Sequence, residues 1–168
     1  EAEQVLNDGI AQFPRSQNLL FNRAMYFVRL KDMTLAESDL RTLIAINPNN
    51  ADALNTLGYI LVDANTRLSE GKGYIERALS LDPDNPAAMD SLGWAYYRLG
   101  EHTEATVWLK KALTLMPNDE IAAHLGEVLW VSGQQEAAIN IWKQGLALNP
   151  DSPYIHQRLK QFDLLGDS

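Results

Sequence analysis

The side chains best suited to acid–base or metal chemistry are three histidines, His102, His124 and His156, and 22 Asp and Glu residues. Metal binding by histidine needs ligands at short spacing on one face, as in HExxH, and these three lie far apart along the chain. His102 falls at an apolar phase of its stretch and reads as a packed or partly exposed side chain. General acid–base catalysis by carboxylates needs two whose pKa values are driven apart, and no pair is singled out here. "DPDNPAAMD" from Asp82 begins like a calcium loop but lacks the sharp-turn glycine that such a loop needs. "GKG" at Gly71–Gly73 has neither the spacing of a phosphate-binding loop nor a strand before it. With no cysteine, thiolate metal sites, disulfides and cysteine catalysis are excluded. The chain reads as a non-enzyme with no cofactor. What remains is recognition chemistry. Trp94 and Tyr97 stand three residues apart in a stretch whose core phases are already taken by Met89, Leu92, Gly93 and Tyr96.

The elements that carry this pair repeat. Pro14, Pro48, Pro83, Pro117 and Pro150 follow one another at intervals of 34, 35, 34 and 33 residues, each closing an apolar stretch. A residue before proline is pushed out of the helical region, so each proline marks a helix end. Shortly beyond each comes a residue able to cap the next helix: Ser16, Asn50, Asn85, Asp119 and Ser152. Pro86 and Pro153 then occupy a first helical position, where a missing N–H costs nothing. Gly100 and Gly133 supply left-handed turns midway through two units, while Lys31 and Asn65 stand in that role elsewhere. Small residues recur in phase: Ala24, Gly58, Gly93 and Gly126 in the first half of a unit, and Ala2, Ala36, Gly71, Ala105 and Ala138 in the second. Each unit is therefore helix, turn, helix, with small side chains letting the two helices approach closely.

Composition sets the outer bounds. The 168 residues carry 14 Lys+Arg against 22 Asp+Glu, a net charge of −8, and 46% are hydrophobic. An acidic chain without a basic run has no electrostatic footprint for nucleic acid and is repelled by anionic lipid. No stretch nears the ~18 consecutive apolar residues that a membrane span needs, so no direct membrane contact is expected. The chain starts at Glu1 in phase with a second helix, and it reads as a part of something longer.

"SLGWAYYRLGEHTEATVWLKKALTLMP" resembles the tetratricopeptide repeat, with Leu92, Gly93, Tyr96, Gly100, Ala105, Leu109, Ala112 and Pro117 at the family's signature positions. The resemblance covers the whole chain. It implies an all-α fold, a tetratricopeptide-repeat solenoid of about ten helices in antiparallel pairs wound as a right-handed superhelix. The expected organisation is the second helix of a partial repeat over 1–14, repeats over 17–50, 51–85, 86–119 and 120–152, and a capping helix over 153–164. In this family the first helix of each unit lines the concave surface. The stripe that faces it would then comprise Phe21, Asn22, Met25 and Arg29; Asn55, Tyr59 and Asp63; Asp90, Trp94, Tyr97 and Arg98; His124, Glu127 and Trp130; and Gln157, Arg158 and Gln161.

On that assignment Phe21, Met25, Tyr59, Trp94, Tyr97 and Trp130 share one aromatic and apolar wall edged with Asn55, Asp63, Asp90 and Glu127. Trp94 occupies a phase that is usually polar in the family and is expected to contact a ligand. Tyr97 admits either ligand contact or packing between units. Trp142 has a core phase, and Trp108 lies on a second helix beside one. Family members that clamp a terminal carboxylate use Lys, Arg and Asn on successive first helices; here Phe21, Met25, Asn55 and Asp90 occupy those places, so that clamp is not assembled. The wall suits a protein or peptide segment that is apolar with basic flanks.

A narrower likeness joins "MDSLGWAYYRLG" and Ala122–Leu146 to bacterial tetratricopeptide lipoproteins of the outer membrane, which include an adaptor that delivers substrates to a carboxy-terminal processing protease. It implies a lipid anchor upstream of Glu1, a periplasmic location, and protease and substrates as partners. The alternative is the client-binding module of a larger cytoplasmic enzyme or secretion chaperone. Self-association through the open N-terminal end is a further expectation.

Overall fold

The computed structural model describes residues 1–164, and among them every regular element is an α-helix. They are α1 (Ala2–Gln12), α2 (Gln17–Arg29), α3 (Met33–Ile46), α4 (Ala51–Asp63), α5 (Leu68–Leu81), α6 (Pro86–Arg98), α7 (His102–Leu115), α8 (Asp119–Val131), α9 (Gln135–Leu148) and α10 (Pro153–Gln161). The helices group into two compact units, Glu1–Pro83 with α1–α5 and Asp84 onward with α6–α10.

Capping chemistry sets the starts of the first helices. Ser16, Asn50, Asn85 and Ser152 accept a hydrogen bond from the backbone N–H three residues on, each worth about 1 kcal/mol. The cap of α8 corrects the sequence reading. Asn118, in extended backbone, accepts from the N–H groups of Glu120 and Ile121, and Asp119 is the first helical residue. The unit from Pro117 is a residue short, so its helix begins one position nearer the proline. Asp119 then lies at the positive end of the helix dipole and accepts a hydrogen bond from Asn149 at 3.0 Å.

The turns inside the repeats follow one geometry. Around Gly100 (φ +83°) the Glu101 N–H bonds the Tyr96 carbonyl and the Gly100 N–H bonds that of Tyr97, a Schellman closure. Lys31 (φ 60°) closes the α2–α3 turn in the same way, and Asn65 (φ 55°) also takes the left-handed region. Lys31 does so without the freedom of glycine.

Within each repeat the helices pack through the small residues. A Cβ at Gly58 would lie 2.6 Å from the Gly71 carbonyl oxygen, and one at Gly71 2.7 Å from that of Gly58, so α4 and α5 meet backbone to backbone. In the second unit, a Cβ at Gly126 would strike the Trp142 indole, whose Nε1–H donates to the Ala123 carbonyl. The first unit buries Leu20, Ala24, Phe27, Leu40, Leu43, Leu57 and Leu61 in one cluster, and the second buries Leu109, Leu125, Leu129, Trp142 and Ile155 in another. Trp142 is thus core, as its phase requires.

Candidate protein-binding faces

In the first unit, α2 and α4 carry the stripe read from the sequence. Phe21 and Met25 on α2 and Tyr59 on α4 are half-buried, while Asn22, Arg29 and Asp63 are exposed. The Phe21 ring rests against the buried cluster and shows the remainder of its surface to solvent. Asn55 is half-buried as a residue, and its Oδ1 is the one buried side-chain acceptor among the described residues that lacks a hydrogen bond.

Charged groups in this unit are engaged elsewhere. The Arg23 guanidinium donates to both carboxylate oxygens of Asp39 at 2.8 and 2.7 Å and to Asn7 at 2.7 Å, joining α1, α2 and α3. On the second helices Arg41 donates to Glu37 (2.8 Å) and Glu70 (2.6 Å), and Arg67 donates to Glu37 (2.8 Å). The hydrogen bond from Arg67 outweighs partial burial and holds the Glu37 carboxyl below its usual range, with Arg41 adding to the effect. This α3–α5 network is solvent-facing, where single ion pairs contribute little.

In the second unit the corresponding stripe is closed. Trp94 is only 3% exposed, Asp90 7%, His124 2% and Glu127 6%. This overturns the expectation that Trp94, Asp90, His124 and Glu127 line an open wall. The physical reason is the packing of α6 on α8 and of α8 on α10, which turns the stripe into a seam between successive first helices.

Inside that seam the buried carboxylates of Asp90 and Glu127 each meet a basic partner. His124 Nδ1 lies 2.9 and 3.0 Å from the two oxygens of Asp90, one repeat away. Trp94 stacks on the His124 ring at 4.4 Å and 25° and lies 4.9 Å from the Tyr97 ring. Glu127 accepts from the Tyr97 hydroxyl at 3.0 Å and from Arg158 Nε at 2.8 Å. The guanidinium groups of Arg158 and Arg98 sit 5.7 and 5.8 Å from the Trp94 ring centre, within cation–π range. Burial, reinforced by the charge of Glu127, pushes the Tyr97 phenol up to about 12. Burial alone would lower the His124 pKa, but the Asp90 carboxylate outweighs it and the net direction is up. Burial also raises the Glu120 carboxyl, at the start of α8.

Tyr97 and Arg98 are half-buried at the margin of the seam. Trp130 keeps part of its surface exposed, yet its ring lies 5.8 Å from Trp142 and 5.5 Å from Phe162, in an aromatic cluster distinct from Trp94. Gln157 and Gln161 are exposed. Trp108 is half-buried beneath the Lys111 ammonium at 4.5 Å. The structure therefore brings Asp90, Trp94, Tyr97, Arg98, His124 and Glu127 together through packing. The residue whose linking role the sequence reading missed is Arg158. The signal was present in the spacing: Arg158 stands 31 residues beyond Glu127, on the next first helix, as Glu127 stands 30 beyond Tyr97.

The sequence matches tetratricopeptide repeat family models over residues 18–50 and 86–119. It is 45% identical over 127 residues, 76% of this chain, to a TPR repeat-containing protein of Pseudomonas aeruginosa, and spans 22% of that protein's length. Among solved structures, a thermophilic TPR protein of Thermus thermophilus superposes with a TM-score of 0.83 at 22% identity, covering 98% of this chain and 90% of that one. MamA of Desulfovibrio magneticus superposes with a TM-score of 0.72 at 18% identity, covering 90% and 86%. These likenesses establish a shared fold. With its helix pairs, in-phase small residues and matching repeat models, the chain belongs to the tetratricopeptide repeat family.

Proposed function

We propose that this chain is a non-catalytic adaptor module that holds a segment of a partner polypeptide on its first helices, with the main contacts in the first unit. The carrying observation is that Phe21, Met25 and Tyr59 keep apolar surface in solvent beside exposed Asn22 and Asp63. Partly exposed aromatic and apolar side chains rimmed by polar ones are the usual anchors of a protein interface.

The partners we propose are a carboxy-terminal processing protease and its substrates, with the parent protein tethered to the outer membrane in the periplasm. Support comes from the likeness of "MDSLGWAYYRLG" and Ala122–Leu146 to outer-membrane tetratricopeptide lipoproteins. The test is affinity capture with the purified chain from a periplasmic extract, followed by titration calorimetry of the recovered protease. Tyr59→Ala or Phe21→Ala should weaken binding by about 2 kcal/mol, roughly thirtyfold, without changing the helical signal. Failure to retain the protease would reject the partner, and unchanged affinity in both variants would reject the face.

A further inference from the structure

The seam of the second unit encloses a charge balance that depends on one proton. Asp90 and Glu127 are buried carboxylates, and Arg158 is a largely buried cation bonded to Glu127. Glu120 stands half-buried on the same helix as His124. With a neutral imidazole the interior would hold two buried carboxylates against one guanidinium. With an imidazolium the two acid–base pairs are each neutral. The flat face of Trp94 against the His124 ring favours the cation further, since an aromatic face attracts positive charge. The charged groups that face His124 are Asp90 from α6, Glu120 from α8 and Arg158 from α10. α7 and α9 meet α8 through the uncharged side chains of Leu109, Ala138 and Trp142.

We infer that the Asp90–His124 pair is a proton-operated latch, clamping α6 to α8 while His124 is an imidazolium and slackening when that proton is lost. A neutral imidazole can still give one Nδ1–H bond to Asp90, so the geometry survives deprotonation while the compensating charge does not. The sign follows from linkage. A histidine whose folded pKa is raised contributes stability that is fully present below the unfolded value, about 6.5, and is lost as pH rises through the folded value. The direction found for His124 is upward. The latch is therefore fully set below about pH 6.5, so long as Asp90 stays ionised, and weakens as pH rises above that through the folded value. It does not rest on the identity of any partner.

The experiment is an imidazole ¹³C NMR titration of the full chain, with the His124 resonance assigned through His102→Gln and His156→Gln variants. His124 should titrate above about 6.5, and Asp90→Asn should move its midpoint downward. Thermal melts from pH 6 to pH 9 should show a fall in Tm that is larger in the wild type than in His124→Gln. A wild-type midpoint at or below about 6.5 would overturn the latch even if every variant failed to fold. So would a midpoint indifferent to Asp90→Asn, or melts whose pH dependence is the same with and without the imidazole.

Discussion

The two units are built from the same repeat yet tie their repeats together on opposite helices. In the first unit the ion pairs between repeats run along the second helices, Arg41 and Arg67 with Glu37 and Glu70, in solvent. In the second unit they run along the first helices, Asp90 with His124 and Glu127 with Arg158, and are buried. The aromatic position after the buried glycine shows the consequence. Tyr59 follows Gly58 and keeps exposed surface, whereas Trp94 follows Gly93 and is enclosed. One repeat signature thus yields a face that can meet a partner and a face already occupied by its own side chains. In the second unit the enclosure goes with complementary charges that neighbouring first helices bring to each other.

The sharpest way to break this comparison is the matched pair at that position. Trp94→Ala should cost about 3–5 kcal/mol, the usual range for emptying a large buried aromatic site. Tyr59→Ala should cost less, about 1–2 kcal/mol, because part of its surface still faces solvent. Urea unfolding of both variants gives the numbers, and equal losses would show the two faces to be alike.

Next in size is the loss of a shared carboxylate. Glu127→Ala leaves the Arg158 guanidinium buried without its partner and should cost about 3 kcal/mol, as breaking a buried pair does. Glu37→Ala removes the acceptor of Arg41 and Arg67 in the open network and should stay within about 1 kcal/mol. If the two variants unfold at the same urea concentration, the distinction between buried and exposed ties fails. The salt response sharpens it: at 1 M salt the Debye length is about 3 Å, so the Glu37 contribution should vanish while that of Glu127 persists.

The smallest expected effect lies in a turn. Lys31→Gly should raise stability by about 0.5–1 kcal/mol, since glycine relieves a left-handed residue at some cost in unfolded-chain entropy. The same substitution at Lys110, inside α7, should instead lower stability by about 1 kcal/mol. A destabilised Lys31→Gly variant would mean that this lysine contributes more than its backbone angle suggests.

Most of the helical framework was legible because it is local. Proline forbids helix just before itself, Ser and Asn cap the next turn, and small residues at a fixed phase permit close pairing. Even the displaced cap at Asn118 belongs to this class, since the short unit shifts a local choice by one position. The faces were less legible. Helical periodicity gives the direction in which Trp94 points from its axis. It does not give the distance to the next first helix in that direction.

Sequence alone therefore determined the repeat, its helix ends apart from the start of α8, the core phase of Trp142 and the lack of a membrane-spanning stretch, because each follows from backbone sterics, capping or hydropathy over a few residues. Tertiary structure alone decided that Trp94, Asp90, His124 and Glu127 are enclosed while Phe21, Met25 and Tyr59 remain open. Enclosure is set by contacts between helices about 30 residues apart, such as Arg158 on Glu127 and His124 on Asp90. Those contacts form only where opposite charges arrive at facing positions after both helices have packed.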